Sequence, residues 1–221
     1  MNSVKAIGRI GGWVLGLALV AGSGRAQTVA AGIVRDGKLS FDGRATVGDF
    51  VGVTSTIRGR LSGGDLGQVT GFVEAPVKTL ITGNGRRDRD LNKSMESDQY
   101  PLLRFDLETV RVDDASRADS TAVTIGGTFT IHGVTHAVSI PAVVALTADA
   151  VRVRATTPLN LKDYRIGSLS KMLGILKMHP DIVVHIDLTF SQDGTTEPPP
   201  FPATNTPAPS SAASDPRPDR S

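Results

Sequence analysis

Apolar and polar side chains alternate one for one through most of this chain. Leu103, Phe105 and Leu107 interleave with Arg104, Asp106 and Glu108, and Val123, Ile125, Phe129 and Ile131 with Thr124, Thr128 and Thr130. Ile182, Val184, Ile186, Leu188 and Phe190 interleave with Val183, His185, Asp187 and Thr189. Successive side chains of a strand point to opposite faces, so a period of two predicts strands with one buried and one wetted face. The pattern extends to residues 38–41, 69–77 and 151–154, and to Val138, Ile140, Ala142, Val144 and Leu146. Over residues 47–57 it places Val47, Val51, Val53 and Ile57 on the buried face, with Asp49 among them.

That makes eight strands, joined largely by short turns such as Ala148-Asp149-Ala150, so neighbours are expected to be antiparallel. The expected fold class is all-β with a short helical insert. Eight half-buried strands make either two packed sheets or a closed barrel, and the lack of strong edge protection favours closure. Such a barrel is just wide enough to be filled by its own side chains or to hold one slim ligand. The expected lining is Val51, Val53, Val73, Leu103, Phe105, Ile125, Phe129, Ile140, Val144, Val153, Ile186 and Leu188. Those residues suit an alkyl or prenyl chain better than a sugar or a nucleotide. A core filled by its own side chains, serving a structural role, is the alternative.

Two segments break the alternation. Residues 82–105 are dense in charge, opening at Gly83-Asn84-Gly85 and closing at Tyr100-Pro101. A short helix is expected there, near Arg86, Arg87 and Arg89. These three cations are candidates to grip a pyrophosphate or another polar headgroup at the barrel rim, through charge-assisted hydrogen bonds. The plainer reading is a solvated basic face, partly neutralised by Asp88 and Asp90. Asp88 near a helix start also complements the macrodipole. The second segment, residues 166–178, is an apolar link; Met172, Leu173, Ile175, Leu176 and Met178 make it a candidate lid or a simple plug.

The ends differ in composition from the barrel. Lys5 and Arg9 precede an apolar run from Trp13 to Ala21, followed by Gly24-Arg25-Ala26. That is the order of a secretory signal, so residues 1–26 are expected to be removed near Ala26 and the protein to be periplasmic or secreted. Residues 27–192 form the expected domain. Residues 193–221 carry prolines at 198, 199, 200, 202, 207, 209, 216 and 218 and few residues to bury, so a free tail is expected. The total charge of +2, less the three cations of the leader, leaves −1. Nucleic-acid binding therefore loses its electrostatic motive. With no cysteine, the exported fold is not stapled by disulfides.

Candidate chemistry is sparse. The chain has no G-x-S-x-G elbow, no phosphate-binding glycine loop and no H-E-x-x-H, so an enzyme is not expected. His132 and His136 flank a turn, where strand spacing does not converge their rings on one metal. No metal or cofactor is expected.

Thr82-Gly83-Asn84, Arg87-Asp88 with Leu91, Tyr100-Pro101 and Phe105 follow a pattern that resembles YceI-like domains. Gly127-Thr128-Phe129-Thr130-Ile131-His132-Gly133-Val134-Thr135 is similar to that family's hairpin, and Asp163-Tyr164-Arg165-Ile166-Gly167 to a later segment. The likeness runs from Ile33 to Gln192 and includes the closing strand. Asp90 stands where many members carry His, and Arg165 where glycine is usual. The resemblance implies an exported, lipocalin-like eight-stranded antiparallel barrel that holds a polyisoprenoid, such as an isoprenoid quinone or prenyl pyrophosphate. The expected partner is that long-chain lipid, with peripheral membrane contact or a homodimer as further candidates.

Overall fold

The computed structural model describes residues 28–46, 48–117, 120–167 and 178–202. The expected leader, the end of the Pro-rich segment, and Met172, Leu173, Ile175 and Leu176 lie outside the described residues, as does Val47.

The alternating stretches form strands, and the strands close on themselves. β1 is Gly32–Ala45, and β2 runs over Gly48–Thr54 and resumes at Arg58–Leu61. β3 (Gly71–Pro76), β4 (Leu102–Arg117), β5 (Ser120–Ile131), β6 (Val134–Leu146), β7 (Ala150–Asn160) and β8 (Asp181–Ser191) follow. Each pairs antiparallel with its chain neighbour. β8 then returns to β1, with Leu188 opposite Gly37 and His185 opposite Ser40. The two segments of β2 keep one register against β1, Gly52 facing Phe41 and Leu61 facing Gly32, so they act as one bent strand. The result is a closed eight-stranded antiparallel barrel of the lipocalin-like kind, whose closure satisfies the strand edges internally.

Turn chemistry sets the register where it is tight. β5 and β6 are joined by His132 and Gly133 alone, with φ of 52° and 71°. Positive φ at both central residues is the type I′ arrangement, whose twist matches the flanking strands. Packed side chains close one end of the barrel: Val29, Leu66, Val69, Val110, Val123, Val144, Val151 and Phe190 form a continuous buried cluster. At the other end, β3 leaves the wall at Pro76. The segment from Val77 to Pro101 covers that end before β4 begins, and it includes α1 (Gly85–Ser94).

α1 starts where its donors find a partner. The Asn84 side chain accepts from the amides of Arg86 and Arg87, at 3.1 and 3.2 Å. Asp88 turns back to accept from the Thr82 amide (2.8 Å) and hydroxyl (2.6 Å), tying the helix to the loop before it. Replacing Asn84 with alanine is expected to cost about 1 kcal/mol, read as a lowered urea midpoint.

Three expectations about position are corrected. Val51 and Val53 face outward, because the inner positions of β2 are Phe50, Gly52 and Thr54. At Gly52 a Cβ would fall 2.1 Å from the Phe41 ring, which already occupies that part of the interior. Val144 belongs to the packed plug and borders neither of the two interior cavities described below. The Pro-rich segment is not free from residue 193 onward. Gly194 donates to the Ala31 carbonyl at 2.9 Å, and Phe201 lies 4.4 Å from the Arg58 guanidinium on the outer wall. Backbone bonding and one aromatic contact hold a strap that composition alone assigns to solvent.

Candidate functional site

Inward-facing side chains leave two adjoining cavities along the barrel. The first, of about 110 Å³, is lined by Val73, Leu103, Phe105, Ile125, Phe129, Ile140, Val153, Ile186 and Leu188 from the expected set. Leu39, Ile57, Ala155 and Phe190 complete its main walls. The second, of about 90 Å³, lies toward α1 and is lined by Phe41, Leu80, Met95, Ile131, Leu159, Ile166, Met178 and Ile182 among others. Leu39, Leu103 and Phe129 border both. Phe129 packs on Phe105 with ring centroids 4.9 Å apart and forms part of the partition.

The lining is aliphatic and aromatic because the strands alternate. Glu74 and Arg104 border the first cavity from within the wall, but they sit between the inward Val73/Phe105 and Ala75/Leu103 pairs. Their side chains therefore stand on the outer face. A space walled this way rewards an apolar chain and penalises any buried polar group that it cannot pair.

The candidate headgroup cations do not converge on the cavities. Leu91 of α1 and Met95, which caps its C-terminus, pack against the barrel end. At 100° per residue, Arg86 and Arg89 fall on the opposite face with Lys93, and all three are exposed. Arg87 turns aside, its guanidinium 4.2 Å from the centre of the Phe50 ring. Of the candidate lid, Met178 is placed: it borders the second cavity and bridges to Ala45.

A collar of aromatic and polar groups closes the α1 end. His132 Nδ1 lies 3.1 Å from the Tyr164 carbonyl, so this nitrogen carries the hydrogen and donates. Nε2 is buried, lacks a hydrogen-bond partner among the described residues, and lies 3.6 Å from Glu96 Oε2. The rings of Tyr100 and His132 meet at 4.7 Å, and those of His136 and Tyr164 at 5.0 Å. Burial, then the charge of Asp163, raises the Tyr164 phenol above its ordinary value. His136 Nε2 reaches the Asp163 carbonyl at 2.9 Å. The two histidines thus serve backbone carbonyls separately, and no metal-binding group of three or more acidic, His or Cys residues occurs among the described residues.

Two arrays on the outer wall were not visible in the sequence. Glu74, 5 % exposed, is held between Arg58 (Nε–Oε2 2.9 Å) and Arg104, which also chelates Asp106. The hydrogen bond with Asp106 is the main cause holding Arg104 above the ordinary arginine value. Separately, His185 Nε2 lies 2.9 Å from Asp42 and Nδ1 lies 3.2 Å from the Thr156 hydroxyl. That order of hydroxyl, imidazole and carboxylate stands exposed on paired strands, whose amides serve the sheet and not an oxyanion. Both arrays join residues far apart in the chain, and only the register of β1, β2, β3, β4, β7 and β8 brings them together.

Comparison with solved structures finds the same fold at low identity, in two cases over most of both chains. BcnA from Burkholderia cenocepacia superposes with a TM-score of 0.58 at 15 % identity, covering 69 % of this chain and 95 % of that one. A structure from Saccharophagus degradans, described as a polyisoprenoid binding domain implicated in plant cell wall breakdown, gives 0.61 at 17 %, covering 74 % and 98 %. A comparison with curated proteins finds no match. The sequence profile of the YceI-like domain matches residues 34–190, the span that builds the barrel from β1 to β8. The chain belongs to the YceI-like family.

Proposed function

We propose that this protein is exported and holds one long, linear apolar chain of the polyisoprenoid class inside its barrel, for transport, storage or sequestration without covalent chemistry. The carrying observation is the pair of adjoining cavities. They share Leu39, Leu103 and Phe129, follow the barrel direction, and direct no charged side chain inward. The Saccharophagus degradans relative, described as binding polyisoprenoid, supports the ligand class. The leader-like N-terminus supports export.

The affinity comes from apolar transfer. At about 0.8 kcal/mol per buried CH₂, a five-carbon prenyl unit is worth up to about 4 kcal/mol before ordering costs. Affinity should therefore climb with each prenyl unit until the two cavities are filled, and then level off. The test uses residues 27–221, expressed and extracted under denaturing conditions, with mass spectrometry of the organic phase. A titration with prenyl alcohols of increasing length accompanies it. A co-purifying prenyl lipid and a chain-length plateau are expected. Absence of lipid together with no binding at any length overturns the proposal.

A further inference from the structure

The cations on α1 face the wrong way to hold a cargo headgroup. Arg86, Arg89 and Lys93 form the solvent stripe of the helix and make no ion pair among the described residues. The helix's acidic residues form no ion pair with that stripe: Asp88 accepts from Thr82, and Asp90, half-buried, pairs with none of the three cations. The stripe gathers three cations on a chain that, without residues 1–26, has a net charge of only −1.

Near the start of α1 stand the two most exposed large apolar side chains among the described residues, Ile81 at 61 % and Val51 at 49 %. They share a face. Ile81 bridges to Val53, and Val51 lies two residues from Val53 on the same strand. Ile81 immediately precedes Thr82, which Asp88 grips, and Arg87 of α1 stacks on Phe50, the neighbour of Val51. The aliphatic pair and α1 thus stand at the same end of the barrel, the one that carries the second cavity.

We infer that this end of the barrel docks on an anionic lipid bilayer. The cations meet phosphate headgroups, and Ile81 and Val51 enter the boundary between headgroups and acyl chains. A nucleic acid would use the cations but leave the aliphatic pair in water, whereas a bilayer takes both. Docking would bring the cavity end of the barrel against the phase in which a prenyl lipid is dissolved. The inference concerns the surface and does not depend on which chain the barrel holds.

The test is flotation of residues 27–221 with phosphatidylcholine vesicles, with and without phosphatidylglycerol. Binding is expected only with phosphatidylglycerol and should weaken as salt screens the cations. At about fivefold per cation near an anionic surface, the triple variant Arg86→Ala/Arg89→Ala/Lys93→Ala should lose about a hundredfold in partitioning. Ile81→Ser should lose about tenfold. These side chains are exposed, so both variants should keep the parent melting temperature and prenyl-alcohol affinity. Three results overturn the inference: no vesicle binding, equal binding to both vesicle types, or a triple variant that binds like the parent. A triple variant that loses prenyl-chain affinity in step with vesicle binding returns the cations to the cargo and also overturns it. Failure of the parent to bind any prenyl alcohol counts against the proposed cargo and leaves the docking result to stand alone.

Discussion

Ala155→Trp is expected to abolish binding of a prenyl chain while leaving the barrel folded. Ala155 lies on β7, opposite Ala142 of β6 and Ile186 of β8, and borders the first cavity. An indole in place of its methyl group projects into the space a ligand would use. Filling existing space avoids most of the strain of overpacking a closed core, which runs to about 1–3 kcal/mol. Excluding about five carbons of chain at about 0.8 kcal/mol each weakens binding by about a thousandfold. The sequence contains a single tryptophan, Trp13, so a protein lacking residues 1–26 has no other indole. Blue-shifted emission would report that the new ring is buried. Thr156→Trp, one residue along and exposed on the outer face, should leave binding unchanged. Equal affinity of Ala155→Trp and the parent for long prenyl alcohols would place the ligand outside the barrel.

The contrast between neighbouring positions explains what was legible beforehand. On β4, β5 and β8 most inward side chains are large and most outward ones polar, so period two identified both strand and face. β2 is the exception. Val51 and Val53 are more apolar than Gly52 and Thr54, yet the glycine faces in because the Phe41 ring on β1 fills the space across from it. A single strand's pattern carries no information about how much room its neighbour leaves.

Clustering in sequence misled in a similar way on α1. Arg86 and Arg87 are adjacent in the chain, but 100° of helix rotation separates them. Arg87 goes to Phe50, while Arg86 joins Arg89 and Lys93. The helix existed in the sequence reading; the composition of each of its faces required the anchor points Leu91 and Met95. In the Pro-rich segment, low hydrophobic content pointed to a free tail. Its backbone nevertheless found partners at Ala31, and Phe201 found Arg58, neither of which is near it in sequence.

Glu74 is the position where that register-dependent information has its largest energetic consequence, and Glu74→Ala is expected to cost about 2–3 kcal/mol of stability. Glu74 stands directly between Arg58 of β2 and Arg104 of β4 across three adjacent strands. It accepts from both, and its own side chain is nearly out of water. Removing the carboxylate leaves two guanidinium groups facing a gap on the outer wall with one remaining acidic partner, Asp106 on Arg104. Breaking a fully buried pair costs about 3–5 kcal/mol. The lower figure applies because the side chains of Arg58 and Arg104 remain 30 % and 38 % exposed and recover some hydration. Glu74→Gln retains one acceptor and should cost about half as much. The measurement is urea unfolding followed by circular dichroism, since the described barrel contains no tryptophan. An unchanged midpoint in Glu74→Ala would mean that the array is a solvated surface network. A loss of the expected size, with prenyl-chain affinity intact, would separate what holds the wall together from what the interior binds.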